Sequence, residues 1–228
     1  MVAGCRVALR ETRDGFKMPW MALLRFSKRF TPALLAIALQ TWAFGAGQEA
    51  GGSVRPAQLV ASARSQIGVT TTYDPEYRVL SYPGGDVPRE LGVCSDVVIR
   101  ALRDQGADLQ VMLHEDMTRE FRAYPQIWGL SKPDKNIDHR RVPNLMTFFK
   151  RRGCSVPITS NPADYQPGDI VAWNLAVNLP HIGIVSDLKG AGGAPKVLHN
   201  IGGGAQEEDT LFTYKIIGHY RIVSLAGK

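Results

Sequence analysis

The chain is poor in the residue types that build most metal and cofactor sites. Its 228 residues include three cysteines and five histidines, with no Cys-x-x-Cys pair. His114, Glu115 and Asp116 are adjacent rather than at the i, i+4 spacing that puts two ligands on one helix face. No metal and no cofactor are expected. A phosphate loop is also missing: the Gly-rich stretches at 190–193 and 202–204 are not followed by Lys-Ser/Thr and read as turns. No internal repeat is evident. Charge of one sign is scarce once the N-terminus is set aside. Seven of the 27 Lys/Arg and three of the 21 Asp/Glu fall within residues 1–50, leaving 20 against 18, a net charge of about +2. Such a balance gives no electrostatic reason to expect a nucleic-acid partner.

What is present begins with the N-terminus. Arg25, Lys28 and Arg29 precede an apolar run from Phe30 to Leu39 that continues through Trp42 to Phe44, and small residues (Ala43, Gly45, Ala46, Gly47) follow. Basic, apolar, small is the order of a cleaved secretory signal, and the run is too short for a stable membrane span. An uncleaved anchor is the alternative. No cysteine stands just behind the run, which argues against a lipoprotein. Residues 1–17 are polar and mixed in charge, so the signal itself would start at Met18 or Met21. Residues 1–50 are thus expected to be a targeting segment and lead-in, and residues 51–228 a single periplasmic or secreted domain with a proper core. Its oligomeric state is left open.

In that domain, Pro56 opens a helix over 57–67 closed by Gly68. Residues 69–92, rich in Thr, Tyr, Pro and Gly, read as an ordered loop. A second helix spans 94–105, with Val97, Val98, Ala101 and Leu102 as its apolar face. Asp116 is expected to cap a short helix over 117–123, ended by Pro125. Pro143 opens another helix, finished by Lys150, Arg151, Arg152 and Gly153. Strands follow at 169–173, 181–186, 196–201, 211–217 and 220–223. Helices first and antiparallel strands after give an α+β domain.

Cys94 stands at a helix start. The positive end of the helix dipole and the unpaired first-turn amides there favour thiolate, and the same amides suit a developing oxyanion. A cysteine nucleophile also needs an imidazole and a group to orient it. His181, at a strand mouth beside Gly183 on the same face, is one candidate. His199 lies inside an otherwise apolar strand, where a histidine is more often simply packed. The bland rival is a structural disulfide between Cys94 and Cys154.

Resemblance favours the catalytic reading. Gly92-Val93-Cys94-Ser95-Asp96-Val97-Val98 resembles the cysteine helix start of the NlpC-type cell-wall peptidases. Gln166-Pro167-Gly168-Asp169-Ile170-Val171-Ala172-Trp173 is similar to their Pro-Gly-Asp strand, and His181-Ile182-Gly183-Ile184-Val185 to their histidine strand. The chain resembles still more closely the bacterial family known only as domain of unknown function 1287. The strings that carry this are Tyr73-Asp74-Pro75, Tyr82-Pro83-Gly84-Gly85-Asp86-Val87-Pro88, the Cys94 segment, Asp108-Leu109-Gln110, His114-Glu115-Asp116-Met117 and the segment Asn136 to Leu145.

The NlpC resemblance implies a papain-like core, with N-terminal helices carrying the nucleophile packed on an antiparallel sheet. Cys94 would be nucleophile, His181 general base and acid, and His199 the orienting group. Asn200 is the other candidate for that third place, since strand alternation lets one of the two face the site. Ser95 and Asp96 would line the first turn near substrate, and Tyr73 would close the cleft or pack. The segment 136–141 departs from the NlpC pattern. His139 and Arg140, or Arg141, would bind a stem-peptide carboxylate there, or else mark a capped helix start with solvated arginines. The implied activity is amide hydrolysis, with peptidoglycan stem peptides or another peptide amide as substrate. A non-catalytic wall-binding or scaffolding protein, or an acyltransferase, are the alternatives.

Overall fold

The computed structural model describes residues 53–175 and 178–223; the expected targeting segment lies outside the described residues. Four helices precede a sheet. Helix α1 spans Pro56–Arg64, α2 Cys94–Arg103, α3 Leu109–Arg119 and α4 Val142–Arg151. Two short strands, β1 (Thr72–Tyr73) and β2 (Leu91–Gly92), pair in parallel just before α2. The main strands are β3 (Ile170–Leu175), β4 (Leu179–Lys189), β5 (Pro195–Asn200), β6 (Ala205–Glu208) and β7 (Lys215–Tyr220). They form one antiparallel sheet in the order β6-β5-β4-β3-β7. The α+β class is therefore observed.

Strand alternation divides the sheet into two buried faces. Ile170, Ala172, Ile182, Ile184 and Leu198 face the helices and join Val97, Val98, Leu102, Leu145 and Phe149 in the main core. Val171, Trp173, Val185 and Val197 form a smaller cluster on the other face with Tyr165 and Leu211. Helix α2 packs on β4 and β5, with α1 beside it, and nearly all of its residues are buried. One is Arg100, 1 % exposed, whose guanidinium reaches out of the core into the 70–91 loop. It donates to Asp86 Oδ2 (2.9 Å) and Oδ1 (3.0 Å), to Leu91 O (3.0 Å) and to Thr70 Oγ1 (2.9 Å). A long segment with little regular structure is ordered because these acceptors converge on one buried charge.

The expectations need three corrections. Asp116 does not open a helix. It lies near the end of α3, a helix opened by Asp108, whose side chain accepts from Gln110 N at 3.1 Å. Asp116 instead receives Tyr124 Oη and Arg151 Nε, each at 2.7 Å. The apolar spacing of Leu109, Met112, Leu113 and Met117, all buried, is the physical reason that helix starts earlier. The second is β6, where no strand was expected. The third is the pair of strands expected over 211–217 and 220–223: a turn at 211–213 is followed by β7, which ends at Tyr220, and 221–223 add no strand.

Gly183, on β4, is required by the sheet. A Cβ there would stand 2.8 Å from Val197 Cγ1, 2.9 Å from Leu198 O and 3.0 Å from His199 Cβ. Two of these atoms belong to the backbone or its first side-chain carbon and cannot swing away. Gly183→Ala is expected to destabilise the fold by about 1–3 kcal/mol through overpacking, read as a lower urea midpoint with an unchanged m-value.

Candidate active site

Cys94 opens α2 and is a free, buried thiol, so the Cys94–Cys154 bridge is not formed. The backbone amides of Ile182, Ser95 and Cys94 act on its sulfur and favour the charged form. The contact with Ile182 sets the thiol against the residue next to His181. No hydrogen bond joins Cys94 to His181: Cys94 packs with Ile182 on the helix side of β4, and the His181 ring lies on the Trp173 side.

His181 is buried on the Trp173 side of β4, and its Nε2 lies 2.8 Å from His199 Nδ1. The indole of Trp173 flanks both rings, with centroid separations of 5.7 Å and 6.4 Å. The far nitrogen of His199, Nε2, lies 2.8 Å from Glu208 Oε2 on β6. Between the two candidates for the third place, the fold brings His199 to His181. Asn200 points the other way and donates through Nδ2 to Gly92 O at 3.0 Å, tying β5 to the residue two before Cys94. Tyr73, 36 % exposed, pairs with Gly92 across β1 and β2, and the Cys94 sulfur acts on its phenol. The phenol is pushed up to about 12, by burial first and then by the neighbouring Cys94 and Asp96.

The electrostatics overturn one expectation. Burial pushes the Cys94 thiol up to about 12, with the Asp96 carboxylate adding to it. The amides of Ile182, Ser95 and Cys94 oppose the shift without cancelling it. Burial, then His199, pushes His181 down to about 3. Desolvation thus outweighs the helix dipole at Cys94 and favours the neutral thiol, and burial favours the neutral imidazole of His181 on β4.

The residues expected to bind substrate are placed differently. Arg140 grips Asp96 bidentately, with Nε 3.0 Å from Oδ1 and Nη2 2.9 Å from Oδ2. It also donates to Asp74 O (3.1 Å) and Glu76 O (3.3 Å). Asp96 Oδ2 further accepts the Val93 amide at 2.7 Å, capping α2. Neither charge is free for a ligand, so both Asp96 and Arg140 support the site rather than face its substrate. Ser95 is likewise engaged, its hydroxyl donating to Arg140 O at 2.7 Å. His139 is buried, its Nδ1 has no hydrogen-bond partner, and it is pushed down to about 4, chiefly by burial. Arg141 pairs with Asp138 at 3.0 Å and lies over the Trp128 ring. The arginines of this segment are not simply solvated either. Glu208 went unnoticed in the sequence; the alternation of a charged strand was its one available signal.

Among the described residues, no group of three or more His, Cys, Asp or Glu is arranged to hold a metal ion. Two surface clefts of about 280 and 420 Å³ lie around Pro157, His219 and Arg221, and around Tyr165, Asp187 and Pro195. Neither is lined by Cys94, His181 or His199.

The family pattern described as Domain of unknown function (DUF1287) matches residues 60–222. The chain belongs to this family. It is also 62 % identical over 159 residues to the uncharacterized protein YijF of Escherichia coli (strain K12), covering 70 % of this chain and 78 % of that one. No solved structure matches the chain. The matched span contains every member of the Cys94–His181–His199–Glu208 set.

Two outcomes follow. Arg140→Met leaves the Asp96 carboxylate buried without its partner and is expected to lower the unfolding free energy by about 3–5 kcal/mol. Adding Asp96→Asn removes the uncompensated charge, and urea unfolding should show part of the loss recovered. The second concerns acid. His181 and His139 take up protons at about 3 and about 4 when folded, against 6.5 ordinarily. Between pH 6.5 and 4 the unfolded chain therefore binds more protons, and stability falls as pH falls, by up to ~1.4 kcal/mol per pH unit per histidine. Urea midpoints across this range should show the slope, and His139→Asn should reduce it.

Proposed function

We propose that the protein is an exported papain-like cysteine hydrolase of amide bonds, acting on peptidoglycan stem peptides. The single observation that supports this reading is the helix-start Cys94 lying at the Ile182 amide of β4, the strand that also carries His181, itself bonded to His199. The NlpC-type resemblance supports it, as does the basic, apolar, small order of residues 25–47. That order supports a periplasmic or secreted setting, where wall peptides are found.

The neutral pair sets the order of events. As the sulfur of Cys94 attacks the amide carbon, its proton passes to His181, so charge develops only in the transition state. The first-turn amides at Cys94 and Ser95, with the Tyr73 hydroxyl beside the sulfur, stand where an oxyanion forms. Collapse of the tetrahedral species breaks the carbon–nitrogen bond, and the leaving amine takes the proton back from His181. Water, deprotonated by the same imidazole, then hydrolyses the thioester. An amine or alcohol in place of water would make the reaction acyl transfer.

A second reading draws on the depth at which Cys94 is buried: a non-catalytic wall-binding protein on the same frame. Peptide release from purified wall material separates the two. On the hydrolase reading, Cys94→Ala abolishes release, and His181→Ala lowers it by about 10²- to 10⁴-fold. Equal release by wild type and Cys94→Ala sinks the hydrolase.

A further inference from the structure

Glu208 stands at the outer end of the histidine pair, and its place there is specific. Strand alternation on β6 sends the two adjacent glutamates to opposite faces. Glu207 goes to the helix side, where it pairs with Arg64 at 2.7 Å and bonds Ser186. Glu208 goes to the Trp173 side, and among the described residues its ion-pair partner is His199 alone. His199 is 2 % exposed in its side chain and Glu208 37 %, so the carboxylate caps a buried chain from the rim.

The chemistry of that contact fixes protons further in. A carboxylate only accepts. His199 Nε2, 2.8 Å from Glu208 Oε2, therefore carries a hydrogen, and in the neutral ring Nδ1 keeps its lone pair. His181 Nε2, 2.8 Å from that Nδ1, must then be the donor, which leaves His181 Nδ1 unprotonated. Without an acceptor behind His199 the chain can run in reverse. His199 Nδ1–H would donate to His181 Nε2, and His181 would carry its hydrogen on Nδ1, where it has no lone pair to take a proton.

We infer that Glu208 is a positioning residue that holds both histidines in the Nε2–H tautomer and so keeps His181 Nδ1 as the proton acceptor. The inference rests on the hydrolase reading for its purpose but not for its geometry. When the thiol proton reaches Nδ1, His181 becomes a cation whose Nε2–H still points to a lone pair on His199. The Glu208 carboxylate then lies behind that ring with opposite charge.

The test uses the full chain with ¹⁵N-labelled histidine, and long-range ¹H–¹⁵N spectra that distinguish protonated from unprotonated ring nitrogens. In wild type, His181 and His199 should both show a protonated Nε2 and a bare Nδ1. In Glu208→Ala, the His181 Nδ1 shift should move toward the protonated value. The rate of Cys94 alkylation by iodoacetamide at fixed pH should fall on the order of 10- to 100-fold, the size typical of removing a histidine's outer partner. Glu208→Gln, whose amide oxygen still accepts from His199, should keep the wild-type ring shifts. Thermal unfolding of the variants checks that the fold is intact, and a purely structural role would leave the ring shifts untouched. Wild-type His181 shifts in Glu208→Ala would overturn the inference. Moved shifts, together with equal wall-peptide release by wild type and Cys94→Ala, would sustain the tautomer assignment while removing the hydrolase.

Discussion

The position of Cys94 depends on an ion pair two residues further along its helix. Asp96 and Arg140 are both almost wholly buried and meet through two parallel bonds. The same carboxylate caps α2, and the same guanidinium holds the backbone at Asp74 and Glu76. One fork of charge therefore fixes the helix start, the strand that bears Tyr73 and the segment at 138–141 with respect to one another. A buried pair of this kind adds little net stability over a well-packed apolar pair. Its contribution is geometric: the charges tolerate one another's absence so poorly that the three segments have one arrangement in common.

Arg100 does the same at a larger scale. Its guanidinium gathers Thr70, Asp86 and Leu91, and the loop before α2 is ordered about it. Both arginines act from the interior, and both draw coil onto a helix that the sheet already supports from behind. The site is thus assembled from two regular elements, α2 and β4, and from irregular chain recruited by charge.

Much of this was legible in the sequence, and the limits are physical. Cys94 after Gly-Val, Pro143 at a helix start and the Pro-Gly-Asp entry to β3 are local signals, and the structure places elements where they point. The choice between His199 and Asn200 was not local. Alternation says that the two face opposite sides of β5, and only the register of β5 against β4 says that His199 meets His181 while Asn200 meets Gly92. Arg140 was misread because its partner lies 44 residues away in the chain, and a dense polar segment looks the same whether its charges meet water or a buried carboxylate. Strand β6 was missed for a related reason. Ala-Gln-Glu-Glu lacks the β-branched and aromatic residues of an interior strand, so an edge strand of this kind resembles the turn that leads into it.

The protonated state of Cys94 bears on how the chain ages. Hydrogen peroxide and disulfides react with thiolate and hardly at all with thiol. A sulfur pushed up to about 12 by burial offers oxidants almost none of the reactive form. The burial that favours the neutral thiol also shields it from sulfenic acid and mixed-disulfide formation.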